Sequence, residues 1–273
     1  MFSLDGRLLF LTLAGSHAHG TAAEGSDLDL RGVCVAPLAL RLSLFDAFEQ
    51  YEGPLPEELT DMVARSVAAH PSASRAPATK TECVVFDIAK FMRLCAAANP
   101  NALEILFADE PDLVYVAPAF ERLRRERYRF LTLEVKDTFL RYALSQLRRI
   151  GSHRARLLAS SGAEPARSRR NPARAELERR FGYDTKHAMH LVRLLRMGLE
   201  ALERGELVVR RSDAGELRAI RDGELSFERL LELASELEQA MLRASEATAL
   251  PAAVDRAWVD EIARSFMLAE AGE

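Results

Sequence analysis

"LAGSHAHGTAAEGSDLDLRGV", residues 13–33, decides how the rest of the chain is read. A tight Gly15-Ser16 turn stands ten residues ahead of Asp27, and Asp27 and Asp29 alternate with Leu28 and Leu30. Upstream, the apolar run Leu8 to Leu13 predicts a buried strand that the turn closes. Downstream, Leu28 to Val35 alternates and carries β-branched residues, which predicts a second strand ended by Pro37. Residues two apart on a strand point to one face, so Asp27 and Asp29 are expected side by side, with Leu28 and Leu30 facing a core. Two carboxylates so close repel unless cations sit between them. A divalent metal such as Mg²⁺ fits, because it takes oxygen ligands and keeps positions open for water and phosphate. The turn adds backbone N–H groups and a hydroxyl, with no Cβ at the glycine to hold a triphosphate off. An ordinary loop leading into a half-buried strand accounts for the same residues, and both readings stand at this point.

The 273 residues are enough for one large domain or two smaller ones. A hydrophobic share of 48% with 29% charged residues suits a soluble globular chain. No apolar run reaches the roughly 18 residues that a membrane span needs. The start, "MFSLDGRLLFLTLAGS", lacks the basic front of a secretion signal and reads as a first strand. Cys34, Cys83 and Cys95 are odd in number and far apart, without metal-ligand spacing, which makes a reducing cytoplasm the expected location. The net charge of −4 conceals three zones: −8 over residues 1–120, +11 over 121–210 and −7 over 211–273. A basic middle between acidic ends suits an anionic partner such as nucleic acid, and equally an arginine-rich helical surface without one.

Residues 37 to 80, with "EGPLPEE" and "HPSASRAPATK", read as an irregular insertion holding a short helix near Leu59 to Ala69. "ECVVF", Glu82 to Phe86, is a third strand. Asp87 then stands at the N-cap position of a helix that Asn99-Pro100 ends, and "NALEILFA" forms another. From Glu121 the pattern changes to long amphipathic helices at Leu133 to Leu158, Thr185 to Glu203 and Phe227 to Ala247, with a last one after Pro251. Between the first two, "SSGAEPARSRRNPARAE" reads as a mobile basic loop whose Arg167, Arg169, Arg170 and Arg174 suit an RNA backbone or simply solvent. The expected architecture is therefore α+β: a small mixed-sheet domain over 1–120 followed by an α-helical domain over 121–273.

A strand, Gly-Ser, ten residues and then Asp-x-Asp between apolar residues resembles the signature of the DNA polymerase β-type nucleotidyltransferases, carried here by Gly15, Ser16, Asp27 and Asp29. Four blocks in order, "GSHAHGTAAEGSDLDLRGV", "FDIAKFMRLCAAANPNALEILF", "GYDTKHAMHLVRLLRMGLEAL" and "IRDGELSFERLLE", resemble the branch of predicted nucleotidyltransferases associated with RNA-repair operons. That resemblance implies transfer of a nucleoside monophosphate from an NTP to a hydroxyl, an RNA 3′ end foremost, by two-metal chemistry with Mg²⁺ or Mn²⁺. It assigns Asp27 and Asp29 to both ions and requires a third carboxylate on a later strand. Glu82 is the candidate, and Asp87 is the rival, although the helix cap explains it more simply. Gly15, Ser16 and Ser26 would hold phosphate, with His19 where related minimal enzymes often carry arginine. Nucleotidylation of a protein or small molecule, and a non-catalytic RNA- or nucleotide-binding module, are the alternatives.

Along the helix from Thr185, capped by Asp184 or Thr185 itself, Ala188, Leu191, Val192, Leu195, Leu199 and Leu202 form an apolar stripe. Lys186, His190 and Arg193 fall on the opposite face, as a solvated stripe or as a phosphate-facing wall, and the resemblance favours the wall. His187 sits at the stripe's edge and reads as a packed histidine. His17 and His19 stand close enough to the turn to touch phosphate or to be exposed loop residues. Trp258 reads as a core anchor.

Overall fold

Five strands form one mixed sheet in the computed structural model, which describes residues 2–70, 80–159 and 179–271. They are β1 (Leu8–Ala14), β2 (Leu28–Cys34), β3 (Gln50–Gly53), β4 (Thr81–Asp87) and β5 (Leu113–Val116), in the order β3-β4-β2-β1-β5. β2 and β4 are parallel and every other neighbouring pair is antiparallel. The apolar alternation read from the sequence is the burial pattern of β2, where Leu28, Leu30 and Val33 are enclosed while Asp29 and Arg31 are only half-buried. β3 and β5 were not expected. Each is four residues long, too short for alternation to register, and each is held at a sheet edge by a longer neighbour.

Two one-turn helices, α1 (Gly15–Ala18) and α2 (Leu38–Arg41), follow β1 and β2, and α3 (Thr60–Ala69) lies within a residue of the expected helix. Asp87 closes β4 and caps α4 (Ile88–Ala96), its Oδ2 accepting from Ala89 N at 2.8 Å while Oδ1 accepts from Ala36 N at 3.2 Å. Asn99 caps α5 (Pro100–Leu106), accepting from the Asn101 and Ala102 amides. The proline serves as the first residue of α5, because its missing N–H would have been unpaired there anyway. After α6 (Pro118–Arg125) comes α7 (Glu134–Ala159), the first long helix. The basic segment expected as a mobile loop, with its four arginines, lies outside the described residues.

Asp184 rather than Thr185 caps α8 (Thr185–Arg204), accepting from His187 N at 3.0 Å, and Gly205 ends it in the left-handed conformation at φ +66°. α9 (Ala214–Arg221) was not singled out in the sequence, whereas α10 (Phe227–Ala247) has the expected bounds, and α11 (Arg256–Ala271) is last. Contacts divide the chain into two compact units. One holds Met1–Glu134, Leu207–Arg211 and Pro251–Glu273, and the other Val135–Glu206 and Ser212–Leu250. The chain thus leaves the first unit at Glu134, later than the change of composition at 121, because α6 packs on β1. The final helix returns to that unit, where Trp258 lies 5.0 Å from the Phe130 ring and donates from Nε1 to Glu126 at 3.0 Å. The anchor role read for Trp258 matches this placement. The second unit is helical. α8 packs against α9 and α10 there, and Tyr183 donates its hydroxyl to the Leu225 carbonyl.

Candidate active site

The last residue of β1, Ala14, lies opposite Asp29 of β2, and Asp29 lies opposite Glu82 of β4. Ala14, Asp29 and Glu82 are thus one row across three neighbouring strands, about 4.8 Å apart per strand, with their side chains on one face. β1 finishes at this end of the sheet while β2 and β4 begin there, so Gly15 and Ser16 leave the sheet beside Asp29. Gly15 has φ +60°, and a Cβ built on it would run into the Asp29 carboxylate. Backbone conformation and lack of space both select glycine, which lets the turn close onto the acid.

Both acids have cations nearby without being sealed by them. Arg31 Nη2 stands 3.5 Å from Asp29 Oδ1 and Lys80 Nζ 3.6 Å from Glu82 Oε1, with the two carboxylate side chains 27% and 39% exposed. Pairs this long and this wet hold little energy and yield easily to a stronger ligand. The first acid of the expected Asp-x-Asp pair is placed differently. Asp27 is exposed and precedes β2, whose pairing with β4 starts where Leu28 N donates to Lys80 O at 2.8 Å. This corrects its assignment to the strand. Among the described residues, no three His, Cys, Asp or Glu side chains are gathered tightly enough to hold a metal ion. The fold itself sets two carboxylates together, Asp29 and Glu82.

The remaining expected residues each have surroundings of their own. His19 is 3% exposed, with Nε2 2.9 Å from Glu104 Oε2, so its ring is enclosed and paired. Ser26 turns back on its own loop, its hydroxyl accepting from Ala23 N at 2.9 Å. In the helical unit Lys186 and His190 are half-buried. Arg193 is 5% exposed and reaches Met197 Sδ at 3.2 Å, so it is not part of an open polar face. His187 is packed as read, 4% exposed with Nδ1 2.7 Å from Gln146 Oε1.

A polar cluster that the sequence did not announce stands in the same unit as the carboxylate row. Asp112 is fully buried, with Oδ1 2.8 Å from His70 Nε2 and accepting from Arg210 Nη2 at 2.6 Å. Arg210 N donates to Asp109 at 3.0 Å, and Arg211 N donates to the His19 carbonyl at 3.2 Å. Burial pushes the Asp112 carboxyl up from its ordinary value, against the pull of His70 and Arg210. His17 lies edge-on to His70 at 6.4 Å between ring centres. Burial and the neighbouring His70 push the His17 ring down from 6.5, while the Ser26 backbone, Asp29 and Asp112 draw it up. Positions 70, 112 and 210 share no spacing, so only the place of His17, next to Ser16, carried a signal in the sequence.

Comparison with known proteins bears on what this row belongs to. A solved structure, a nucleotidyltransferase-like protein from Exiguobacterium sibiricum 255-15, is similar at 13% identity over 88% of this chain and 69% of that one, with a TM-score of 0.28. No curated protein matches the chain. A family model described as the RNA repair pathway DNA polymerase beta family, RlaP, matches residues 3–267. With that match over nearly its whole length, the chain belongs to the RlaP family of polymerase β-like nucleotidyltransferases of an RNA repair pathway.

Proposed function

We propose that this chain transfers a nucleoside monophosphate from an NTP to the 3′ hydroxyl of an RNA, with Mg²⁺ or Mn²⁺ as the metal. The observation that carries the reading is the row in which Gly15, leaving β1, presses on Asp29 while Glu82 stands beside it. The donors there are oxygens of half-exposed carboxylates, which suit a hard divalent cation, and the crowded glycine leaves the turn's backbone open to phosphate. Asp29 and Glu82 would hold the metal together with Asp27, the other acid of the Asp-x-Asp pair, one residue ahead of the strand. A metal held there would supply charge to neutralise phosphate and would lower the pKa of the attacking hydroxyl. Ser16 and the Gly15 turn would grip the β- and γ-phosphates. RNA as acceptor is supported by the family's repair pathway and by the net +11 over residues 121–210.

The test is to incubate the full chain with each α-labelled NTP, Mg²⁺ or Mn²⁺, and tRNA, alongside the protein without RNA. Label in RNA is expected, with Asp29→Asn and Glu82→Gln each lowering the rate on the order of 10²–10³-fold, as when one preorganised electrostatic group is removed. Label in the protein itself would move the acceptor to a polypeptide. No transfer to any acceptor, together with RNA binding that Asp29→Asn leaves intact, would replace the enzyme with a binding module.

A further inference from the structure

We propose that two copies of this chain pair face to face, each seating its Leu44-Phe45 turn in the groove between α4 and α11 of the other. The turn follows α2, in the first unit. Leu42, Leu44 and Phe45 are 72%, 89% and 95% exposed there. Single exposed leucines are ordinary, but three large apolar side chains within four residues form a patch that marks an interaction site. Nor is the turn loose. Leu42 N donates to Leu38 O at 2.9 Å and Ser43 N to Leu40 O at 3.3 Å. The Ser43 hydroxyl accepts from the Phe45 and Asp46 amides at 3.3 and 3.0 Å. A backbone held this way presents Leu44 and Phe45 in advance, so binding has little ordering left to do.

The same unit offers a receptor of matching chemistry. α4 and α11 pack on each other and leave a groove of about 870 Å³. Its walls include Met92, Ala96, Ala257, Ala263 and Met267, small or pliable apolar residues that suit a leucine and a phenylalanine. Phe45 does not enter the groove of its own chain, since it stays in water. Turn and groove are nevertheless neighbours. α2 packs on α11, and Glu49, four residues past Phe45, reaches Lys90 of α4 at 2.8 Å and Arg93, on the groove, at 3.9 Å. Complementary parts side by side are what a twofold contact needs: as one turn enters the other copy's groove, the reverse contact forms with it and the pair closes. Charge agrees with a second copy as the occupant. Asp46, next to Phe45, and Arg256, on the groove wall, each lack an ion pair among the described residues, and in the pair they meet. RNA or an anionic lipid surface would ask for cations around the turn, whereas the exposed charges beside it are Asp46 and Glu49. Counted over both turns and both grooves, the contact covers on the order of 1,200 Å², at the lower end of stable interfaces.

The test is sedimentation velocity of the full chain from roughly 0.2 to 200 μM, a range that brackets the micromolar dissociation expected of a small interface. The mass should move from that of one chain to that of two and no further. Phe45→Ser removes a side chain too exposed to hold the monomer together. It should raise the dissociation constant by about thirtyfold or more, the loss that marks an interface anchor. Asp46→Arg and Arg256→Asp should each weaken pairing by about fivefold, and the double variant should regain most of that loss because the exchanged charges attract again. A chain that stays single at every concentration overturns the proposal, whether its turn then closes into its own groove or meets a different protein. So does a dimer that Phe45→Ser leaves intact, a series that grows past two copies, or a double variant that pairs no better than its single parents. None of these outcomes touches the nucleotidyltransferase reading, which the labelled-NTP assay tests separately.

Discussion

Two acid-base clusters in the same unit are built by opposite rules. At the end of the sheet, Asp29 and Glu82 are half-exposed, with cations at 3.5 and 3.6 Å. Around Asp112, the carboxylate is fully enclosed and its partners stand at 2.6 and 2.8 Å. The first arrangement leaves negative charge only partly compensated, which costs little in water and leaves room for a stronger cation. The second removes a carboxylate from water, where it survives only because a guanidinium and an imidazole meet it. The difference separates a pair of acids left half in water from one closed into the fold. Arg210 and Arg211 show what the closed cluster secures: the short segment Leu207–Arg211, pinned to Asp109, Asp112 and the carbonyl of His19.

The sharpest way to break this contrast is Asp112→Ala. It leaves His70 and Arg210 facing each other without their shared anion. Loss of one member of a buried pair costs about 3–5 kcal/mol. Urea unfolding should show that loss, and a change within about 0.5 kcal/mol, of the kind surface substitutions give, would mean that Asp112 is not the keystone of its cluster. Gly15→Ala comes next. It forces an L-residue to φ +60° and drives a methyl into the Asp29 carboxylate. Strain of this kind costs about 1–3 kcal/mol. The larger effect should fall on nucleotidyl transfer, because the acid must move to make room. A Gly15→Ala protein with parental transfer and parental stability would show that the close approach is incidental.

The row at the end of the sheet was legible in sequence because its parts are local. Gly15, Ser16, Asp27 and Asp29 are separated by one turn and one loop, and strand alternation places Asp29 without further information. Glu82 was reachable too, since a run of β-branched and aromatic residues marks β4, although parallel pairing with β2 is a tertiary fact. Asp27 shows the limit. Alternation continued one residue past the point where hydrogen bonding to β4 begins, and a periodic pattern cannot say where pairing stops. Arg193 failed for another reason. A helical wheel assigns a polar face, but α8 is enclosed on most sides, and its arginine lies buried beside Met197. His19 looked like a loop residue until Glu104, from α5, took its ring. The closed cluster was invisible throughout, because residues 70, 112 and 210 meet only when α3, the turn before β5 and the segment after α8 have folded together.

The smallest effect tests the open half of the contrast directly. Lys80 is 64% exposed on its side chain and stands 3.6 Å from Glu82, so it pairs in water, where attraction is screened and two long side chains give up rotamer freedom to meet. Lys80→Ala should therefore change unfolding free energy by less than about 0.5 kcal/mol, with a shift that shrinks further as salt is added. If the site is arranged for an incoming cation, removing the resident one should leave the fold alone and, if anything, ease binding of Mn²⁺ followed by paramagnetic broadening of nearby resonances. A loss comparable to that of Asp112→Ala would mean that Glu82 is a structural acid like Asp112, and the distinction between an open and a closed cluster would disappear.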